Sequence, residues 1–326
     1  MSFSKDLDFA LQKEISHISH QKLMAAAQEL SFRYRCDERD MFRSFMTSEA
    51  HRLAYLTFRM PATYAVNSRV LGELKIRMPS FSPDSIGDFG AGPGTATWAA
   101  ADIYPEITKA TLVEKDENWL EIGARMMKNS GQGMLQKACW ERGDVMSMGN
   151  LNPYDLLLMS YMIGELPFES IDNLMTLAWN VVGQVLVIIE PGTPHGFERI
   201  KKARSWLIEH GAFLVAPCPH QEQCPMSQGD WCHFAERLER SALHRIVKEG
   251  TMAYEDEKFS YIIAAKTSIL LPEGRILRHP QHHSGHIEFI LCGQNGLEKK
   301  VISRRHGDLY KLARKLDWGD SWPQPH

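Results

Sequence analysis

Cysteine is scarce in this chain, with six in 326 residues, and that scarcity excludes a small disulfide-stapled scaffold. Neither charge is in excess. The 37 lysines and arginines face 40 aspartates and glutamates, so a net charge of -3 gives no global signature of a nucleic-acid binder. Any basic surface must therefore be local. No window approaches the roughly eighteen uninterrupted apolar residues that a membrane span needs. The opening MSFSKDLDFALQKEI lacks a basic stretch followed by an apolar run, and its acids argue against a transit peptide. A monomer in a reducing cytoplasm is the expectation, with no membrane partner. Internal repeats and low-complexity runs are absent too. What remains is ordinary globular composition, 44% hydrophobic and 24% charged, with length enough for a substantial core.

Residues 1–80 read as helical. Leu7, Leu11, Ile15 and Ile18 keep a three-to-four spacing, and Tyr64, Val70, Leu71 and Leu74 repeat it behind Pro61, which suits a first helical turn. From Ser85 the pattern alternates short apolar runs with helical stretches. SIGDFG, KATLVE, YDLLLMS and GQVLVII read as buried strands of a parallel sheet with helices on both faces. Beyond Gly211 the strands crowd together in AFLVA, FSYIIAAK, HIEFILC and KKVISR, with CGQNG (Cys292 to Gly296) as a hairpin turn between the last two.

DFGAGPGTATWAA follows the first strand and opens a helix, so Gly90, Gly92 and Gly94 permit a tight turn and close approach of a ligand to bare backbone. The spacing is shorter than the dinucleotide fingerprint, which disfavours NAD. Asp88 would repel a pyrophosphate but suits a cationic amino-acid group. The combination resembles motif I of the class I S-adenosylmethionine-dependent methyltransferases. Glu114 then ends the second strand, where an acid can accept from ribose hydroxyls. Asp144 ends a third strand, where this fold reads the adenine amine. Ser160, Tyr161 and Glu165 stand at the carboxyl end of the fourth. The doubly wound, Rossmann-like α/β sheet of that superfamily is thus the expected fold.

The acceptor is not legible. The Asn/Asp-Pro-Pro-aromatic clamp of amino-group methyltransferases is replaced by SYMIGEL, and no cysteine nucleophile stands near that strand end. Methyl transfer needs an aligned nucleophile more than acid–base help, so no catalytic residue is assigned. Binding of the cofactor without transfer remains open.

Three of the six cysteines fall within APCPHQEQCPMSQGDWCHF. Cys218, Cys224 and Cys232 lack the C-x-x-C knuckle of zinc ribbons, and Pro219 and Pro225 suggest an irregular loop around something bulky. Cys292 is a candidate fourth ligand from the C-terminal hairpin. Four thiolates suit zinc or an iron–sulfur cluster, with His220 and His233 as alternative zinc ligands, and unliganded thiols stay open as well. Cys36 and Cys139 are isolated core or surface residues.

PCPHQEQCP...DWCHF, RLERSALHRIVKEGTMAYEDEKFSYIIAAK and YKLARKLDWGDSWP together resemble the ribosomal small-subunit assembly family of methyltransferase-like proteins. AYLTFRMPATYAVNSRVLGEL is similar to that family's helix before motif I, so the resemblance runs from about His51 to Pro323. It implies a protein that associates with the small ribosomal subunit or its rRNA. It also implies a four-iron, four-sulfur cluster on Cys218, Cys224, Cys232 and Cys292. With a fourth thiol available, radical chemistry at an open iron is disfavoured. The organisation expected is a helical region (1–80), an S-adenosylmethionine-binding core (81–215), and a third part (216–326). That last part would hold the metal-cluster insertion, the remaining strands and a basic C-terminal region.

RLERSALHRIVK sets Arg237, Arg240, His244 and Lys248 at helical spacing. Farther on come Lys299, Lys300, Arg304, Arg305, Lys311, Arg314 and Lys315, interleaved with Tyr310 and close to Trp318. Such a local excess is suited to phosphates and stacked bases, although solvated charged faces look the same in sequence. EDEK (Glu255 to Lys258) is expected to pair with these arginines or order backbone. Three readings follow: an rRNA methyltransferase with a cluster as structural staple, a non-catalytic assembly factor, or a small-molecule methyltransferase with a zinc staple.

Overall fold

The computed structural model of the chain describes residues 4–35, 46, 48–149, 152–227, 229–239 and 254–322. Cys36, Arg240, His244, Lys248 and Pro323 lie outside the described residues. Four helices come first: α1 (Lys5–Ile15), α2 (His20–Arg35), α3 (Glu49–Phe58) and α4 (Met60–Arg77). The Ser4 hydroxyl caps α1 by accepting from Leu7 N at 3.3 Å, and Leu7, Ala10 and Leu11 form its buried stripe. Pro61 sits in the first turn of α4, where its missing N–H costs nothing.

A sheet then alternates with helices: β1 (Ser85–Phe89), α5 (Thr95–Ile103), β2 (Lys109–Glu114), α6 (Glu117–Lys128), α7 (Gly133–Gln136), β3 (Cys139–Arg142), β4 (Tyr154–Ser160), α8 (Ile171–Val181), β5 (Val182–Pro191), α9 (Pro194–Glu209) and β6 (Phe213–Ala216). After β7 (Phe234–Glu239) comes the long β8 (Tyr254–Ala265). The strand order is β3-β2-β1-β4-β5-β8-β6, with β7 pairing to the start of β8. β1 to β5 are mutually parallel, and β8 runs antiparallel between β5 and β6. This mixed, parallel-dominated order with a late antiparallel strand is the class I methyltransferase arrangement.

The central strands are apolar on both faces because helices cover both. Leu156, Leu158, Val185, Val187 and Ile189 pack with α1 to α6, whereas the alternate Leu157, Met159, Leu186 and Ile188 pack with α8 and α9.

The rest of the chain makes a second sheet from β9 (Gly274–Ile276), β10 (Gln281–His282), β11 (His286–Gly293), β12 (Gly296–Ser303) and β13 (Ser321–Trp322), with a short helix α10 (Asp308–Ala313). The expected hairpin is present, as Gly293 pairs with Gly296 across β11 and β12. Ile276, Ile287, Phe289, Leu291, Ile302 and Trp322 give this sheet a core of its own. Among the described residues, no helix is long and apolar enough to cross a membrane.

One expectation is corrected. Arg237 lies on strand β7 rather than on a helix, because the four-residue interval between buried Phe234 and Leu238 fits either period. Of the strands after Gly211, β6, β7 and β8 join the first sheet and five form the second.

Candidate functional site

Gly90, Gly92 and Gly94 all adopt left-handed φ angles of 65°, 55° and 81°, which bend the chain from β1 into α5. Their surroundings differ. A Cβ on Gly90 would lie 2.3 Å from Met162 Cγ, and one on Gly94 would lie 2.5 Å from Met127 Cε. A Cβ on Gly92 would meet nothing within 4 Å, so this is the glycine whose bare face is open to a ligand.

Glu114, at the end of β2, closes the loop from the side. Its Oε2 accepts from Gly92 N at 2.7 Å and its Oε1 from Asp116 N at 2.8 Å. Burial pushes this carboxyl above its ordinary range. Asp88 is turned inward, 1% exposed, and its Oδ2 accepts from the Thr97 backbone N–H and hydroxyl at 3.2 and 2.7 Å. Burial raises it to about 7 against those hydrogen bonds. In this geometry Asp88 braces the first turn of α5. Asp144 is exposed beyond β3 and caps the next turn by accepting from Met146 N at 2.9 Å. The structure thus gathers Gly92, Glu114 and Asp144 at the carboxyl edge of the parallel strands, the end where open α/β sheets hold ligands.

The end of β4 holds Ser160 and Tyr161, as the sequence suggests, and brings to them two groups that sequence patterns did not single out, Asn67 and Glu190. Ser160 Oγ accepts from Asn67 Nδ2 at 2.9 Å, which fastens α4 to the strand end. Tyr161 takes φ 58°, a conformation that costs a non-glycine residue about 1–3 kcal/mol, and its buried hydroxyl has no hydrogen-bond partner among the described residues. Glu190, near the end of neighbouring β5, is 1% exposed, and its Oε1 has no hydrogen-bond partner among the described residues. Burial pushes it up to about 8, opposed by backbone N–H donors from Gly164 and Ile163. The Lys115–Glu165 ion pair, at 2.9 Å, spans the mouth of this edge.

The four cysteines come together. Cys218, Cys224, Cys232 and Cys292 line one cavity, partly open to solvent, with His220 and Arg204. Two buried arginines hold the surrounding loop. Arg204 donates from Nε to Cys218 Sγ at 3.3 Å and from Nη2 to the carbonyls of His220 and Glu222 at 3.1 and 2.6 Å. Arg275, 1% exposed, reaches Pro217 O, Gly319 O and Glu73 Oε1 at 2.9, 2.7 and 2.7 Å. No motif points to either arginine.

A tetrahedral zinc bound at about 2.3 Å would hold its sulfurs only about 3.8 Å apart. Among the described residues, no three cysteine sulfurs all lie within 4.8 Å of one another. The four thiols line one cavity, and as a donor set they suit zinc or an iron–sulfur centre. Burial, reinforced by mutual repulsion of the sulfurs, raises Cys292 to about 12 and Cys232 well above the ordinary thiol range. Thiolates there require a positive occupant. His220 Nδ1 is buried without a partner, and Nε2 lies 3.4 Å from Cys292 Sγ. His233 instead stacks on Trp231 at 5.1 Å, and Cys139 is exposed and remote.

Of the basic residues, Arg237 is engaged by Asp256 at 2.7 and 2.9 Å and covers the Tyr254 ring at 4.2 Å. Its neighbour Glu257 takes a bidentate pair from Arg59 at 2.8 and 2.9 Å, so EDEK acts in structure as expected. Lys299 reaches Glu288 at 2.6 Å, and Lys311 reaches Asp308 at 2.8 Å. Arg304, Arg305, Arg314 and Lys315 are exposed around α10 without an acidic partner among the described residues.

The family model for mitochondrial small ribosomal subunit Rsm22 matches residues 49–323. The human mitochondrial ribosome assembly protein METTL17 is 28% identical over 302 residues, covering 85% of this chain and 63% of its own length. The Saccharomyces cerevisiae mitochondrial ribosome assembly protein RSM22 is 22% identical over 400 residues, covering 77% and 64%. An Rsm22-cox11 tandem protein of Schizosaccharomyces pombe is 27% identical over 326 residues, covering 83% and 43%. The chain thus spans less than two thirds of the length of these curated relatives. Among solved structures, magnesium protoporphyrin IX methyltransferase from Synechocystis with bound S-adenosylhomocysteine aligns with 70% of this chain and 97% of its own at a TM-score of 0.44 and 11% identity.

These relatives overturn the cytoplasmic expectation, since the matched family and all three relatives are described as mitochondrial. The acids of the first fifteen residues do not report an address. Asp6 accepts from the Ser130 hydroxyl and Gly131 N, and Leu7 and Leu11 enter the core, so that composition serves packing.

Proposed function

The chain belongs to the Rsm22 family of mitochondrial small ribosomal subunit proteins, and from that premise we propose that it acts on small-subunit rRNA or its assembly intermediates as an S-adenosylmethionine-binding, methyltransferase-fold protein. A four-iron, four-sulfur cluster on Cys218, Cys224, Cys232 and Cys292 would be its structural staple. The observation that carries this reading is the convergence of the four cysteines on one cavity between α9 and the second sheet. The Arg204 N–H to Cys218 suits an anionic metal–thiolate centre.

S-adenosylmethionine, when bound, supplies an electrophilic methyl group. Gly92 offers the open backbone, Glu114 an acceptor for ribose hydroxyls, and Asp144 an exposed acceptor for the adenine amine. Asp88 serves by holding α5 in place through Thr97. Arg304, Arg305, Arg314 and Lys315, with Lys311 at their edge, present positive charge to phosphates. Arg237 has an acidic partner and contributes less.

A second reading, an assembly factor that transfers nothing, is favoured by one feature. Both Glu114 oxygens already accept from backbone and Met162 covers Gly90, so the loop is satisfied without a ligand. The deciding experiment crosslinks the protein to RNA in cells and maps methyl marks lost on its deletion. Crosslinks on small-subunit rRNA with a lost mark at the same place are expected. Crosslinks without a lost mark establish the second reading, and no enrichment of small-subunit rRNA overturns both.

A further inference from the structure

We propose that His283, His286 and Glu288 form a three-ligand site for a borderline divalent transition metal, zinc above all, on the second sheet. Among the described residues, they are the one group of three whose ligand atoms all lie within 4.8 Å of one another.

Local chain geometry creates the site. HSGH is a tight turn from β10 to β11, closed by His283 N donating to His286 O at 2.9 Å, so the two histidines stand at its ends. Their rings stack with centroids 4.5 Å apart and 14° between planes. Glu288 follows His286 by two residues on β11, which puts both on the same face, while Ile287 and Phe289 point into the core. The glutamate divides its oxygens. Oε2 takes Lys299 at 2.6 Å, and Oε1 faces His286 Nε2 at 3.6 Å.

Two imidazoles and a carboxylate are a donor set for zinc and its neighbours, whereas calcium and magnesium take oxygen cages. His283 is exposed and His286 and Glu288 are half-buried, so the rings can turn to converge, and a fourth position faces solvent. The Lys299 ammonium competes for Glu288 and sets the affinity below that of an unopposed site. Arg304 N donates to Gly285 O at 3.1 Å, which places a bound cation beside the basic surface. The site is separate from the cysteine cavity, and the inference does not depend on what fills that cavity.

The test titrates Co²⁺ into the anaerobically prepared full chain with its cysteine centre as isolated. About one Co²⁺ is expected to bind with weak visible bands and no near-ultraviolet sulfur-to-cobalt charge transfer, and zinc displaces it. His283→Ala with His286→Ala weakens this binding by about tenfold or more, and Lys299→Met strengthens it. Circular dichroism checks folding, and the gain in Lys299→Met cannot come from a misfolded chain. No Co²⁺ bound, binding only with a charge-transfer band, or unchanged binding in the double variant each overturns the site.

Discussion

Glu190 is a carboxyl group that the fold holds protonated near neutral pH. Burial raises it to about 8, so the native state keeps a proton that the unfolded chain releases near pH 4. The contribution to stability is full below the unfolded pKa and is lost as pH rises through the folded one. Glu190→Gln keeps the oxygen that accepts from backbone but cannot ionise. Its thermal midpoint, relative to the parent, is expected to be little changed at pH 4 and higher by a few degrees at pH 8.5 in differential scanning calorimetry. Equal shifts at both values would show that burial does not control this group. At this scale the sequence was a partial guide. Glu114 stands out because it ends a strand at the expected interval after the glycines. Glu190 stands out to no pattern, because what sets it apart is the helix packed over it.

At the scale of elements, the turn from β1 into α5 separates its glycines by what lies beside them. Gly92 faces open space, so Gly92→Ala costs only the strain of a side chain at positive φ, about 1–2 kcal/mol, while its methyl would stand where the cofactor is proposed to lie. Gly90→Ala drives a methyl into Met162 and must displace it. Urea unfolding and calorimetric titration with S-adenosylmethionine should therefore part the two. Gly92→Ala should stay folded and lose cofactor binding, and Gly90→Ala should lose more stability. Retained binding in Gly92→Ala would place the pocket elsewhere. The strands were legible because an apolar run buried on both faces needs no partner to be recognised. β7 was not, since its apolar interval suits helix and strand alike.

Among the described residues, specific polar contacts tie the two sheets together. Arg275 on β9 reaches Glu73 on α4 and Pro217 beside the first cysteine, and Cys292 on β11 closes the ring opened by Cys218. The exposed cations around α10 ride on the second sheet and so take their position from those ties. Replacing Arg304, Arg305, Arg314 and Lys315 with glutamine is expected to weaken binding to single-stranded small-subunit rRNA fragments. The slope of log affinity against log salt should become shallower by about 3. An unchanged slope would remove this surface from the RNA contact.

What the sequence by itself determined is local: the strand–glycine–helix turn, the acids at strand ends, the four-cysteine set and the family. Each is a short-range pattern, or a spacing, that survives without knowledge of neighbours. The tertiary structure decided the rest. It showed which sheet each late strand joins, that Asp88 braces the loop from within, and that two buried arginines hold the cysteine loop. It also brought His283, His286 and Glu288 within ligand range. These depend on groups distant in the chain, or on how a turn orients its side chains, and only packing brings such groups together.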